Sequence, residues 1–282
     1  MNNGIRQWST EHVRWQPGRN GLKYAVHGYA RVRPVQLVRR HHLANIFAIS
    51  PPKAGSQWLK AVLHHPVVRR QTGLLTLPQL DYQAKPPRHG FPVGTFVPGV
   101  YVSRLEFDRL HKRGPYRAVH LIRDPRDIVV SGYWSALETH PPTHVAEVEE
   151  ARRQLHSVSL DEGLKVCIRT AAPVFRDMAT WADDDDPAIA TFRLEDIAED
   201  YAGNVQKLLA HCNVTLDEAD THRMLEETSR AALQRRDLDV RGDGRSHYRV
   251  QQTGFRDLFT DEHYRLFEEV APGLVELLGY DQ

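Results

Sequence analysis

The sequence predicts an α/β fold, a single domain with a central parallel sheet and helices on both of its faces. Three observations lead there. Short apolar runs at 45–50, 118–122 and 188–194 read as strands, and stretches with helical spacing separate them. A chain of 282 residues with 41% hydrophobic and 26% charged residues has enough apolar material for a sizeable core. No internal repeat and no long low-complexity stretch interrupts the alternation.

Residues 1–42 lack sustained periodicity and carry Arg39-Arg40-His41-His42 just before the first strand, so they are expected to form an N-terminal arm packed on a domain that spans 43–282. Asn45 to Ser50 is the first strand, followed by a glycine-containing turn and a helix from about Gln57. The region from Pro78 to Gly99 is rich in proline and glycine and poorly periodic. Loops of that length are usually functional or mobile, which predicts a substrate-side lid, with a disordered linker as the alternative. A short strand is expected around Val100 to Ser103 and a longer one from Ala118 to Ile122.

The clearest helix start follows, with Asp124 as N-cap, Pro125 at the first helical position and Asp127 three residues past the cap. Leu160 to Trp181 is a helical pattern interrupted by Pro173, and the acid run Asp183 to Asp186 reads as a solvated turn before the strand Ala188 to Leu194. Tyr201, Val205, Leu208 and Leu209 mark one face of a helix. Thr260 opens another, whose Phe267, Val270, Leu274 and Leu277 face the core with a bend at Pro272.

Composition narrows the function. Lys+Arg 37 minus Asp+Glu 36 gives a net charge of +1, which argues against non-specific nucleic-acid binding. The 16 histidines show no metal-ligand spacing and read as scattered surface residues, so no metal is expected. Two cysteines, Cys167 and Cys212, are too few and too far apart for a disulfide framework or a redox pair, which fits a reducing, cytoplasmic setting. The first thirty residues contain no apolar signal core, and runs such as Leu43 to Ile49 fall far short of the roughly 20 residues that a membrane span needs.

Two segments carry chemistry. The first strand runs into Pro51-Pro52-Lys53-Ala54-Gly55-Ser56-Gln57-Trp58, a turn that hands over to a helix. A glycine there lets backbone N–H groups approach an oxyanion, the helix N-terminus favours negative charge, and Lys53 adds a point charge. The lysine precedes the last glycine, unlike the order GxxxxGK[ST], which disfavours ATP kinase chemistry. A plain strand-to-helix connection is the alternative. The strand ending at Ile122 leads into Arg123-Asp124-Pro125-Arg126-Asp127, with Ser131 on the following helix. Ligands of open α/β sheets sit at the carboxyl ends of strands, so Lys53 and Arg123 are expected to face one crevice, where the Arg123 fork suits a terminal phosphate. Pairing of Arg123 with Asp124 or Asp127 at a helix start is the other reading.

Together PKAGSQW, from Pro52 to Trp58, and RDPRDIVVS, from Arg123 to Ser131, resemble the cytosolic-type sulfotransferases that use 3′-phosphoadenosine 5′-phosphosulfate (PAPS). The resemblance implies a P-loop-type three-layer α/β/α fold. It also implies donor contacts by Lys53, Ala54, Gly55, Ser56, Gln57 and Trp58 at the 5′-phosphosulfate and by Arg123 and Ser131 at the 3′-phosphate. Further on, Thr191 to Asp196 looks like the family's strand ending in Tyr-Glu-Asp, with Leu194 at the tyrosine. Thr228-Ser229 looks like a cofactor-side pair, followed by Arg230 where Phe is usual. His247 to Thr260 resembles the late phosphate loop, with Arg249 and Gly254 fitting and Val250 and Gln251 departing.

The activity implied is metal-free transfer of a sulfuryl group from PAPS to a hydroxyl or amine of a small-molecule, lipid or carbohydrate acceptor, leaving adenosine 3′,5′-bisphosphate (PAP). Lys53 would stabilise the leaving oxygen. Trp58 would either stack on adenine or fill the core. Many members carry a histidine base on the strand before the 3′-phosphate motif, whereas the matching place here is Val102-Ser103-Arg104. Glu106 is therefore the nominated base, with His89 and His120 behind it. A P-loop nucleotide kinase or hydrolase, and a non-catalytic binding protein on the same fold, are the competing readings.

Overall fold

A computed structural model describes residues 21–30, 33–37, 41–79, 87–139, 146–242, 244, 246, 248 and 254–281. The chain runs through α1 (Gly21–Ala30), β1 (Asn45–Ile49), α2 (Ser56–Leu63), α3 (Pro66–Thr72), β2 (Leu75–Thr76), β3 (Thr95–Val100), α4 (Arg104–Arg109) and β4 (Tyr116–Ile122). It continues with α5 (Pro125–Trp134), a π-helical turn at Ser135–Thr139, α6 (Ala146–His156), α7 (Leu160–Thr170), α8 (Ala172–Ala179) and β5 (Ile189–Arg193). Helices complete it: α9 (Leu194–Glu199), α10 (Tyr201–His211), α11 (Glu218–Thr228), α12 (Arg230–Arg241), α13 (Phe255–Leu258), α14 (Asp261–Val270) and α15 (Leu274–Leu277). Packing groups the described residues of this α/β domain into two compact units, one from 21–122 and 183–228 and one from 123–182 and 229–281.

The first unit holds the whole sheet, in the order β2-β3-β1-β4-β5, with every pairing parallel. Parallel strands need helical crossovers, which cover the faces and demand apolar residues on both sides of each central strand. The five residues of β1 and the six of β3 are accordingly all buried, while edge strand β5 is mostly half-buried. Phe47 anchors this core edge-to-face against Phe91, Phe107 and Tyr116, at ring-centroid distances of 5.0, 5.4 and 5.8 Å. The buried Asn45 amide donates to the Pro92 carbonyl and to Thr95 Oγ1, both at 2.9 Å, and so fixes the start of β3 beside β1. Residues 33–37 run alongside, with Gln36 bridged in parallel to Val93.

Several expectations need correction here. The third strand is Thr95–Val100, not Val100 to Ser103, because Pro98 and Gly99 occupy a bulge and do not end the strand. Phe47 faces Val97 and Ile49 faces Val100, so β3 carries one extra residue, and Gly99 takes φ +65° there. The second half of the expected lid is core, since Phe91 and Val93 are 0% and 6% exposed; residues 80–86, with Tyr82, lie outside the described residues. The acid run is a clamp, because Asp184, 4% exposed, accepts from Arg104 Nε at 3.0 Å, and Asp186 accepts from the Tyr116 hydroxyl at 3.0 Å. Nor are the histidines all superficial: His41, His65, His120 and His263 are buried and hydrogen-bonded. Among the described residues no group of side chains has a metal-binding arrangement, and no helix is long and apolar enough to cross a membrane.

The second unit is helical. Asp124 caps α5 as expected, its Oδ1 accepting from the Arg126 backbone N–H at 2.9 Å, with Pro125 opening the helix. Phe175 and Phe267 join α8 and α14 at 5.1 Å, and Lys165 is held by Asp161, Glu162 and Glu262 at 2.8, 3.0 and 2.8 Å. The pattern from Thr260 does not merely bend. It breaks into α14 and α15 around Pro272, which supplies no N–H to continue the helix.

Candidate active site

At the carboxyl end of β1 the chain enters the Lys53 loop. Lys53 stands at φ +71° and Gly55 at φ +88°, two left-handed residues flanking the fully buried Ala54. This alternation turns the loop sharply and leads straight into α2, whose N-cap, Gly55, makes no side-chain cap. The first N–H groups of α2 therefore keep their hydrogen-bonding capacity, and the helix has no acidic residue in its first turn. An oxyanion is the natural partner for such an end, and the loop brings Lys53, Ala54, Gly55, Ser56 and Gln57 to it together.

Gly55 is required twice over. A Cβ there would lie 3.0 Å from Leu194 Cδ1 and 3.2 Å from Leu121 Cδ2, at a φ that L side chains rarely adopt. Leu194 thus packs against the loop, which accounts for an aliphatic residue at that place. Gly55→Ala is expected to destabilise the protein by roughly 1–3 kcal/mol, read as a lower denaturation midpoint. An unchanged midpoint would contradict the crowding.

Trp58 is 7% exposed and meets Tyr201 edge-to-face at 6.2 Å. The Tyr201 hydroxyl donates to Thr228 Oγ1 at 2.6 Å, and Thr228 donates in turn to the Met224 carbonyl at 2.6 Å. The chain Trp58–Tyr201–Thr228 locks α2 to α10 and α11. It occupies the Thr228 hydroxyl proton and buries most of the indole, so core packing is at least part of the role of Trp58. Sequence reasoning did not single out Tyr201 for this network. Its only signal was an apolar helical stripe.

The residues around the nominated base are tied into the local fold. Arg104 points its guanidinium at Asp108, Asp184 and Asp186, the last two in the turn that precedes β5. Glu106 closes a capping box on α4, its Oε2 accepting from Ser103 N and Oγ at 2.9 Å each. His120 is buried in β4 beside Thr191 Oγ1, and desolvation lowers its pKa to about 3.

In the helical unit, Arg123 is 7% exposed and places Nη2 3.5 Å from Asp127 Oδ2. Asp124 instead engages Arg126, by Nε at 3.0 Å and Nη2 at 2.7 Å, and Arg126 also caps the Asp281 carbonyl and stacks 4.1 Å from the Phe255 ring. Asp127 further accepts from the Phe255 N–H at 3.0 Å. Asp127 and Ser131 are four residues apart on α5, so Arg123 and Ser131 share a helix face. Arg230, at the start of α12, has its pKa lowered by burial and by the charge of Arg123. Two arginines close enough for the charge of one to act on the other suit a multiply charged anion. Sequence reading noted Arg230 only as a departure from the family pattern. Arg249 lies outside the described residues.

A family model, the sulfotransferase domain, matches residues 99–273, more than half of the chain. The chain belongs to the sulfotransferase domain family. The matched stretch of this sulfotransferase contains Arg123, Ser131 and Thr228, and the Lys53 loop precedes it. Solved structures share the fold. Mouse sulfotransferase SULT7A1 complexed with PAP aligns with a TM-score of 0.57 at 14% identity, covering 91% of this chain and 89% of that one. Retinol dehydratase, solved with androsterone and inactive cofactor PAP, aligns with a TM-score of 0.52 at 16% identity, covering 85% and 82%. The same enzyme with retinol and PAP gives 0.52 at 17% identity and the same coverage. No curated protein sequence matches the chain.

Proposed function

We propose that this sulfotransferase takes PAPS as donor and transfers its sulfuryl group, without a metal, to the hydroxyl of a small organic acceptor. The observation that carries the reading is the Lys53 loop, with its paired left-handed residues, its uncapped helix end and its lysine. PAPS supplies the activated sulfuryl group. Lys53 donates to the bridging oxygen as the bond from sulfur to that oxygen breaks, the N–H groups from Ala54 to Gln57 hold the remaining oxygens, and the acceptor hydroxyl passes its proton to Glu106, leaving a sulfate ester and PAP. In the helical unit, Arg123 and Ser131 take a phosphate monoester, the 3′ group that distinguishes PAPS from other adenine nucleotides.

The fold relatives crystallised with PAP, and with retinol or androsterone, support a nucleotide of this kind and an apolar alcohol as acceptor. The two unpaired cysteines, whose pKa values are pushed up to about 12 by burial, suit a reducing, cytoplasmic setting.

Thermal melting with adenosine bisphosphate and no metal, beside melting with ATP and Mg²⁺, tests the donor. Saturating adenosine bisphosphate is expected to raise the melting temperature and ATP with Mg²⁺ to raise it less. The opposite order would favour phosphoryl transfer.

A further inference from the structure

Tyr101 follows β3 directly and reaches the Lys53 loop. Its hydroxyl accepts from Gln79 Nε2 at 2.6 Å and donates to Ser56 Oγ at 3.0 Å. Gln79 owes its place to the bulge, since a Cβ on Gly99 would lie 2.6 Å from the Gln79 side chain. One glycine therefore makes the kink in β3 and leaves room for the amide that orients the phenol. The arrangement joins three segments of the sheet unit at the first residue of α2.

Ser56 has a single hydroxyl proton. With a lone pair already engaged by Tyr101, that proton is directed away from the phenol, and among the described residues it meets no protein acceptor. Burial raises the pKa of Tyr101, so the phenol keeps its proton throughout the working range and acts as a donor, not as a base.

We propose that Tyr101 is a positioning residue of the donor site: fixed by Gln79, it aims the Ser56 hydroxyl at the 5′-phosphate end of the bound nucleotide. The proposal rests on the PAPS reading of the loop and adds to it a residue outside both phosphate motifs. It requires that Tyr101 matter only when the ligand has a 5′ anion and only while Ser56 has its hydroxyl.

Titration calorimetry with two probes separates these conditions. PAP has both phosphates, and adenosine 3′-phosphate lacks the 5′ one. Tyr101→Phe, which keeps the ring, is expected to weaken PAP binding roughly 3- to 10-fold and to leave adenosine 3′-phosphate binding unchanged. Ser56→Ala should weaken PAP binding at least as much, and the double variant no more than Ser56→Ala alone. Gln79→Met, which frees the phenol without removing it, should produce a smaller loss of the same kind. Equal losses for both probes, additive losses in the double variant, or no loss with PAP would each overturn the role of Tyr101 while the donor reading stands. A wild-type protein that binds neither nucleotide would overturn the donor reading and this role with it.

Discussion

Lys53→Ala is expected to lower turnover by roughly 10²- to 10³-fold, the usual effect of removing one group that stabilises charge in a transition state, while the fold survives. The side chain is half-exposed on a loop whose shape is set by Ala54, Gly55 and the packing of Leu194. Its backbone makes a second variant informative. At φ +71° a non-glycine residue carries roughly 1–2 kcal/mol of strain, which alanine keeps and glycine removes. Lys53→Gly should therefore melt at or above the wild-type temperature and be as inactive as Lys53→Ala. Activity and melting temperature falling together in both variants would make Lys53 a structural residue.

Arg123→Ala should act on binding instead. Loss of a guanidinium fork to a phosphate is expected to weaken PAP binding roughly 10- to 100-fold, with turnover at saturating donor changed only a few-fold. Adenosine 5′-phosphate, which lacks the 3′ group, should bind the variant as it binds the wild type. Asp127 would keep its bond to the Phe255 N–H, so the tie between α5 and α13 does not depend on the arginine. Arg123→Lys should fall between the two, since an ammonium keeps the charge and loses the planar fork. A variant that loses both nucleotides equally, or that melts far below the wild type, would assign Arg123 to the fold.

The sequence was most informative where structure is dictated by neighbours along the chain. The start of α5 was legible because Asp124, Pro125 and Asp127 each have one favoured place at a helix entrance. The Lys53 loop was legible because a glycine and a lysine between an apolar run and a helix leave few alternatives. Long-range pairings were hidden. Nothing in Pro98-Gly99 says that the strand continues past a bulge, because the partner residues that hold it, Phe47 and Ile49, lie some fifty positions earlier. Asp183 to Asp186 looks like solvated charge until the arginine eighty positions earlier is placed against it. The Tyr101–Gln79–Ser56 and Trp58–Tyr201–Thr228 networks are invisible for the same reason, since each joins segments that only the folded sheet brings into contact.

One consequence of the strand order concerns self-association. Among the described residues the outermost strand on the β3 side, β2, is two residues long, so its outer edge offers only about 7 Å of ladder. A second molecule docking there by backbone alone would gain too few hydrogen bonds to compensate for its lost freedom, so growth of the sheet from that side is disfavoured.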